Sequence, residues 1–350
     1  MKFTNVKIRN TDKLNLFVTL GIMLAAGIPI LEVVDSLLEE SSGPIKIFLE
    51  TLREDISQGK TISSTMAKFP SSFDKVTVNV LRLAEESGTL ETSIKEVQIN
   101  LQKEIKFHDK VRAAALYPLI VIVVFLLVVL TILFFVIPRV ASVFTALKIT
   151  LPLPTKILLF LSNSLIYHTP IVLTILMVIV AGSVLVYVKK RNWLINKLTS
   201  FPLIRKIARE IDLTRLSRSL SLLLSTGMPI TSGLELAQSV VVKDEIRQIV
   251  SELIVAVTSG RKMSEALRKS PKIIPKFMVK MTEAGERTGS LENSMRYISE
   301  YLEYQVEKTL ATIATLLEPA LLVVIGIVVG SIMLSIIGPI YSLIGQIGPK

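Results

Sequence analysis

The sequence predicts an all-α membrane protein built from two repeated cytoplasmic helical bundles and three transmembrane helices. Long uncharged stretches, helical spacing of apolar residues elsewhere and an internal repeat together predict this fold class. Apolar residues make up 50% of the 350 residues, and the mean hydropathy is +0.58. Such a composition excludes an intrinsically disordered chain. The absence of cysteine excludes disulfides, thiol nucleophiles and Cys-ligated metals.

Three stretches are long and apolar enough to cross a bilayer as helices. Residues 113–137 contain no charge and exceed the roughly 20 residues that a helical span requires. A second uncharged stretch covers residues 170–188 and ends at a basic cluster. The third covers residues 319–344 and contains glycines that permit close helix packing in lipid. The sequence therefore predicts a multi-pass membrane protein.

The distribution of lysine and arginine predicts the orientation of these spans. The segment between the first two spans holds only Arg139, Lys148 and Lys156, and the tail holds only Lys350. Cations concentrate on the cytoplasmic side of membrane proteins. We therefore expect cytoplasmic domains at residues 1–112 and 189–318, and extracytoplasmic segments at residues 138–169 and 345–350. This bias accounts for much of the net charge of +11, so nucleic-acid binding is not expected. No secretory signal peptide is expected either.

An internal repeat relates the two halves of the chain. Near the start of each half the offset is 200 residues, and farther along it is 201. Each half is therefore expected to be a cytoplasmic domain that leads into one membrane helix. The matched positions include Gly27 with Gly227, Pro29 with Pro229, Glu85 with Glu286, Gly88 with Gly289, and Pro118 with Pro319.

Within each cytoplasmic half, the pattern indicates short antiparallel helices. Leu16, Leu20 and Leu24 have the spacing of one helix face, and glycine-containing segments separate such stripes. Thr89 and Ser290 are candidate N-caps of a long helix that continues as the first or third span.

These motifs, taken in order and relative to the spans, resemble the type II secretion system F family, the PilC/GspF-like platform proteins. One departure is Ala84 in the first half, where the second half has Gly285. Some family members resemble calcium binders through carboxylates one helical turn apart before the first span. The corresponding positions here are Lys95 and Ile99, so no metal site is expected. The resemblance rests on Tyr117-Pro118, Pro138, Leu153 to Thr155, Leu224 to Ile230, Ala284 to Leu291, and Glu318-Pro319.

The resemblance implies a non-catalytic scaffold without cofactors in the inner membrane. It would couple a hexameric cytoplasmic assembly ATPase, and a retraction ATPase where one exists, to the polymerisation of pilins or pseudopilins. Other inner-membrane assembly components, the lipid bilayer and further copies of the chain are its remaining expected partners. Whether the fibre is a pilus, a secretion pseudopilus or a DNA-uptake filament is left open.

The turn at Gly285 to Gly289 has both a structural and a functional interpretation. Structurally, Gly289 is a left-handed helix cap, and Ser290 begins the next helix. Functionally, Glu286 and Arg287 would be exposed at a rigid turn and help to form a partner surface. The first-half turn at Glu85 and Gly88 would be its counterpart.

Other functions have weaker support in the sequence. A small-molecule transporter would need more intramembrane ionisable groups, and a membrane enzyme would need a convergent set of titratable groups. Gly59-Lys60-Thr61 resembles part of a phosphate-binding loop but lacks its first glycine. His108 and His168 fall on opposite predicted sides of the membrane. Glu318 could carry protons, but stabilisation of a helix start or packing is the simpler interpretation.

Overall fold

The computed structural model describes residues 3, 5–146, 160, 162–163 and 202–347 of the chain. Within these residues every regular element is a helix, as predicted. The first half contains α1 (Asn10–Ala25), α2 (Ile30–Glu39), α3 (Pro44–Ser57), α4 (Ile62–Met66), α5 (Lys75–Ser87), α6 (Leu90–Thr131), a π-helical turn (Ile132–Val136) and α7 (Ile137–Ala146).

The second half follows the same order of helices. Thus α2 and its counterpart begin at Ile30 and Ile230, and α5 and its counterpart begin at Lys75 and Lys276. The helices are α8 (Pro202–Ser225), α9 (Ile230–Ala237), a 3₁₀ turn (Gln238–Val240), α10 (Asp244–Thr258), α11 (Met263–Leu267), α12 (Lys276–Thr288) and α13 (Leu291–Ile347).

The chain forms two units, and the first, which we call the polar unit, contains the polar parts of both halves. This unit covers Met1–Lys110 and Leu198–Glu307. Its buried apolar residues form one core to which both halves contribute, and α5 of the first half packs on α8 and α9 of the second. The sequence predicted two small bundles, whereas the structure places both sets of helices in one compact unit. Neither half buries all of its apolar surface alone, because helix faces from the two halves cover each other.

The second unit covers Val111–Lys197 and Lys308–Lys350 and contains the apolar parts of α6 and α13. Two helical stretches, Leu90–Arg139 and Leu291–Gly330, are long and apolar enough to cross a membrane. Their apolar side chains lie on the protein surface, with Leu127 59% and Ile327 64% exposed. The predicted second span at residues 170–188 lies outside the described residues, as do most of segment 138–169 and the last three residues.

The π-helical turn lets the helix continue past a proline. Pro138 has no N–H to donate, and the Ile137 N–H donates to the carbonyl of Ile132 across the wider turn. The carbonyl of Leu133 therefore loses its usual helical donor, and the hydroxyl of Ser162 donates to it at 2.6 Å. Because a bilayer core offers no water to unpaired carbonyls, such a replacement suits a membrane segment. The helix thus extends to Ala146, past residue 137, where the predicted span ends.

One buried carboxylate organises the end of α3 in the first half only. Asp55 is 3% exposed and accepts hydrogen bonds from Lys60 at 2.9 Å, from Thr65 at 2.8 Å, and from Lys68. Burial alone would raise the pKa of Asp55. The bonds from Lys68, Lys60 and Thr65 outweigh burial and lower that pKa to about 2. The corresponding residue in the second half is Ala256.

Replacement of Asp55 by asparagine is expected to lower the free energy of unfolding at pH 7 by about 2 kcal/mol. Because the folded pKa lies below the ordinary value of about 4, this contribution is complete above pH 4 and disappears as the pH falls toward 2. Urea unfolding of the detergent-solubilised chain at pH 7 and at pH 2.5 measures both effects. Asp35→Asn is the control, since its ion pair with Arg53 is exposed. An equal loss for both variants would contradict the prediction.

Candidate functional site

The glutamate of the second-half turn caps a neighbouring helix. Glu286, near the end of α12, accepts from the backbone N–H of Met263 at 2.5 Å and of Ser264 at 3.3 Å. The Ser264 hydroxyl donates to the same carboxylate at 2.5 Å. These N–H groups begin the short helix α11 and have no acceptor within that helix. A negative charge at a helix N-terminus is stabilising, so Glu286 fixes α11 against α12.

The first half repeats this arrangement at Glu85. Its carboxylate accepts from the N–H of Ile62 at 2.5 Å and of Ser63 at 3.3 Å, and also from the Ser63 hydroxyl. The helix that it caps is α4. The repeated glutamate therefore has a structural role in both halves.

This geometry corrects the expectation that Glu286 is an exposed group. Glu286 is half-buried, and its oxygens are directed at α11. Its neighbour Arg287 is exposed and forms an ion pair with Glu283 at 2.7 Å. Periodicity could not reveal the cap, because the carboxylate and the N–H groups that it accepts from are more than 20 residues apart.

Gly289, at the end of α12, has the predicted left-handed conformation, and Gly88 at the end of α5 shares it. Gly88 has a φ of 72° and Gly289 has a φ of 69°, where a side chain would be strained. Ser290 directly precedes α13, as predicted for its start, and its hydroxyl pairs with that of Thr288.

Gly285 allows a closer helix contact than its first-half counterpart. A Cβ atom there would lie 2.4 Å from the Oγ of Ser294 and 3.1 Å from the Cα of Leu291. In the first half, Ala84 has such a Cβ and is buried. The departure between the halves therefore corresponds to tighter packing of α12 on α13 in the second half.

The turns at Gly27 and Gly227 have the same backbone conformation. Their φ angles are 75° and 77°, and Pro29 and Pro229 directly precede α2 and α9. Both turns thus connect the first two helices of a half, as their matching sequences predict.

The prolines and the glutamate at the predicted membrane entry lie inside helices. Pro118 lies within α6, and Glu318 and Pro319 lie within α13. Glu318 is exposed. No helix begins at Glu318, so the interpretation that it stabilises a helix start is wrong. Its location at a membrane surface stays a prediction.

Ion pairs that the sequence analysis missed join the long helices of the two halves. Lys103 on α6 pairs with Glu300 on α13, and Lys110 pairs with Glu307, both at 3.0 Å. The two lysines are seven residues apart, and so are the two glutamates, so these parts of α6 and α13 run parallel. The matching spacing of opposite charges could have indicated this contact.

Arg218 on α8 connects both long helices near these ion pairs. Only 7% exposed, it pairs with Glu303 on α13 and lies 5.6 Å from the ring centre of Phe107 on α6. Burial lowers the pKa of its guanidinium, and Glu104 of α6 opposes that shift. The residue at this position in the first half is Val18, which shares neither charge nor partners.

The residues that resemble part of a phosphate-binding loop have local structural roles. Gly59 has a φ of 76°, Lys60 pairs with Asp55, and the Thr61 hydroxyl caps α4 by accepting from the N–H of Ser64 at 3.2 Å. Across the part of the chain that the structure describes, no three His, Asp or Glu side chains are grouped to hold a metal.

The chain matches a known family over both halves. The model of "Type II secretion system (T2SS), protein F" matches residues 16–138 and again residues 216–339. The chain is similar to the type 4 fimbrial assembly protein PilC of Pseudomonas putida, with 26% identity over 95% of this chain and 84% of that protein. It is 27% identical to the type IV pilus assembly protein PilC of Thermus thermophilus, over 94% of this chain and 81% of the relative. It is 26% identical to the type II secretion system protein F of Vibrio cholerae, over 93% of this chain and 80% of that protein.

Replacement of Glu286 by glutamine is expected to destabilise the chain by about 1–3 kcal/mol, because an amide replaces the charged acceptor of the buried N–H groups. Glu85→Gln should have a similar effect through the same geometry. Thermal unfolding followed by circular dichroism in one detergent measures both. Glu283→Gln on the same helix is the control, since its ion pairs are more exposed and its loss should stay within about 0.5 kcal/mol. Equal melting temperatures for Glu286→Gln and the unmodified chain would refute the capping role.

Proposed function

Since the chain belongs to the type II secretion system protein F family, we propose that it acts as an inner-membrane platform of a fibre-assembly machine. In this role it couples a cytoplasmic ATPase to the polymerisation of pilins or pseudopilins and catalyses no reaction itself. The names of its relatives, which describe pilus assembly and type II secretion, support this proposal.

The continuity of α6 and α13 is the observation that carries the proposal. Each helix begins in the folded polar unit and continues without a loop into an apolar stretch of span length. Their polar parts are held parallel by the ion pairs at Lys103 and Lys110. A force applied to the polar unit by a partner would therefore pass into two membrane helices at once.

Its proposed partners are a hexameric assembly ATPase, a retraction ATPase where one exists, pilins or pseudopilins, other inner-membrane components and further copies of the chain. The exposed ends of the turns at Gly88 and Gly289 are candidate partner surfaces. At matching positions the first half carries Glu86 and the second carries Arg287, and both residues are exposed. Opposite charges at equivalent places favour different partners for the two halves.

The proposed topology places both polar halves in the cytoplasm and residues 138–169 outside, with the C-terminus. The sparse cations of that segment support this orientation. Because the chain has no cysteine, single cysteines at exposed positions report the side of the membrane. We expect an impermeant thiol reagent to label Thr150→Cys, within the predicted outer segment, in intact spheroplasts and to label Ser251→Cys only after permeabilisation. The reverse labelling would exclude the orientation.

A flexible Gly-Ser-Gly-Ser insertion after Lys110 should abolish fibre assembly, because it interrupts α6 between its polar and apolar parts. The variant should still accumulate in the membrane and copurify with the assembly ATPase. Electron microscopy of surface fibres and pull-down of the ATPase measure the two outcomes. The same insertion after Ser42, in the exposed turn between α2 and α3, is the control and should preserve fibres. Normal fibres in the Lys110 variant would contradict the coupling role, and a deletion strain with normal fibres and secretion would contradict the platform function.

A further inference from the structure

The first half presents an acidic surface on α2 and α3, which we call the acidic face. Its carboxylates outnumber its two cations, Lys46 and Arg53, and Arg53 is already paired with Asp35 at 2.7 Å. An open groove between the two helices is lined by several of these carboxylates. The acidic face consists of Glu32, Asp35, Glu39, Glu40, Glu50 and Glu54.

The second half presents a basic surface around α11 and α12, which we call the basic face. Lys276 and Lys280 are one helical turn apart on α12, and both are exposed. The ion pair of Arg268 with Glu283, at 3.0 Å, joins the residues after α11 to the same side of α12. The basic face consists of Arg261, Lys262, Arg268, Lys269, Lys272, Lys276 and Lys280.

Comparison of the halves shows that most charges of each face have no counterpart in the other half, although Lys75 matches Lys276 and Glu235 matches Asp35. The second-half positions that match Glu50 and Glu54 hold Ser251 and Val255. The first-half position that matches Lys280 holds Asn79. The same fold thus carries an excess of negative charge in one half and an excess of positive charge in the other, at different places.

The second half has no counterpart of the Asp55 carboxylate, and this difference contributes to the basic face. In the first half, Lys60 and Lys68 are both paired with Asp55. Their counterparts, Arg261 and Lys269, are exposed, and the residue that matches Asp55 is Ala256. These cations are therefore available to a partner.

We propose that the basic face of one chain binds the acidic face of a second copy of the same chain. The occupant is inferred from charge complementarity, because each copy carries both the cations and the matching carboxylates. Among the described residues, no ion pair joins the two faces within one chain. Opposite potentials of this kind accelerate association and select partners.

Such a contact joins two different surfaces, so it must repeat to satisfy both faces of every copy. Chains that share one orientation in a membrane can repeat it twice around a two-fold axis or several times around a closed ring, with the axis perpendicular to the membrane. The inference deepens the self-association included in the proposed function, and it does not require that the chain assemble a fibre.

Charge reversal tests the proposal with the full-length chain in phosphatidylcholine vesicles, which carry no net charge. Donor and acceptor dyes on Thr92→Cys, an exposed position outside both faces, report association by energy transfer. Lys276→Glu with Lys280→Glu should weaken association about tenfold or more, and Glu50→Lys with Glu54→Lys should do the same. A chain that carries all four changes should recover association to within about threefold, because the charges are complementary again. Sodium chloride at about 0.5 M should weaken association of the unmodified chain.

The repeat supplies matched controls. Lys75→Glu with Asn79→Glu introduces similar negative charge at the first-half positions that match Lys276 and Lys280. Ser251→Lys with Val255→Lys adds cations at the positions that match Glu50 and Glu54. Both control variants should associate like the unmodified chain.

Unchanged energy transfer after either face is reversed, or no recovery in the fourfold variant, would overturn the proposal. Binding to phosphatidylglycerol vesicles that depends on Lys276 and Lys280, without an effect on energy transfer, would assign the basic face to anionic lipid and would equally overturn it. Fibre assembly is not a readout here, so failure of this proposal leaves the platform function standing.

Discussion

The arrangement of the polar unit depends on one buried charge, Arg218. A guanidinium that loses its water must gain charged or polar neighbours, and Arg218 finds them only if both long helices are in place. Glu303 lies on α13, whereas Phe107 and Glu104 lie on α6. Separation of the halves would leave this charge partly buried and unpaired. The apolar core favours compaction in general, but this contact favours one particular alignment of α6 with α13.

A common backbone with different side chains explains how two similar halves form one asymmetric unit. The glutamate caps at Glu85 and Glu286 have nearly the same hydrogen bonds, so the fold of each half is fixed by the same contact. Asp55, in contrast, has no acidic counterpart in the second half. Gly285 permits a close contact between α12 and α13 that a Cβ atom at this position would block, whereas the matching residue of the first half, Ala84, carries a Cβ. The asymmetry therefore lies in contacts added to a shared framework, which leaves the order of helices unchanged.

Local patterns in the sequence predicted the local features of the structure. Apolar periodicity and glycine turns predicted the helices of both halves, and the left-handed conformation of Gly289 followed from its place at a helix end. Features that join distant residues were not predictable in this way. The carboxylate of Glu286 caps α11 only because α11 lies next to it. Tertiary packing determines the position of α11, so the local sequence around Glu286 does not reveal the cap. The helix continues past Pro138 because a π-helical turn and the Ser162 hydroxyl replace the missing hydrogen bonds. The helix propensities of single residues predict neither feature.

The division between shared and divergent positions also indicates where partner recognition resides. A residue that is the same in both halves and is used for capping, such as Glu286, cannot change without a loss of stability, so it is poorly suited to distinguish partners. Exposed positions at which the halves differ in charge are free of that constraint, since surface substitutions usually change stability little. Arg287 against Glu86 is one such pair, and the acidic and basic faces extend the same principle over whole helices. In a duplicated scaffold, the repeated motif therefore maintains the fold, while the differences between the repeats give each half its own binding chemistry.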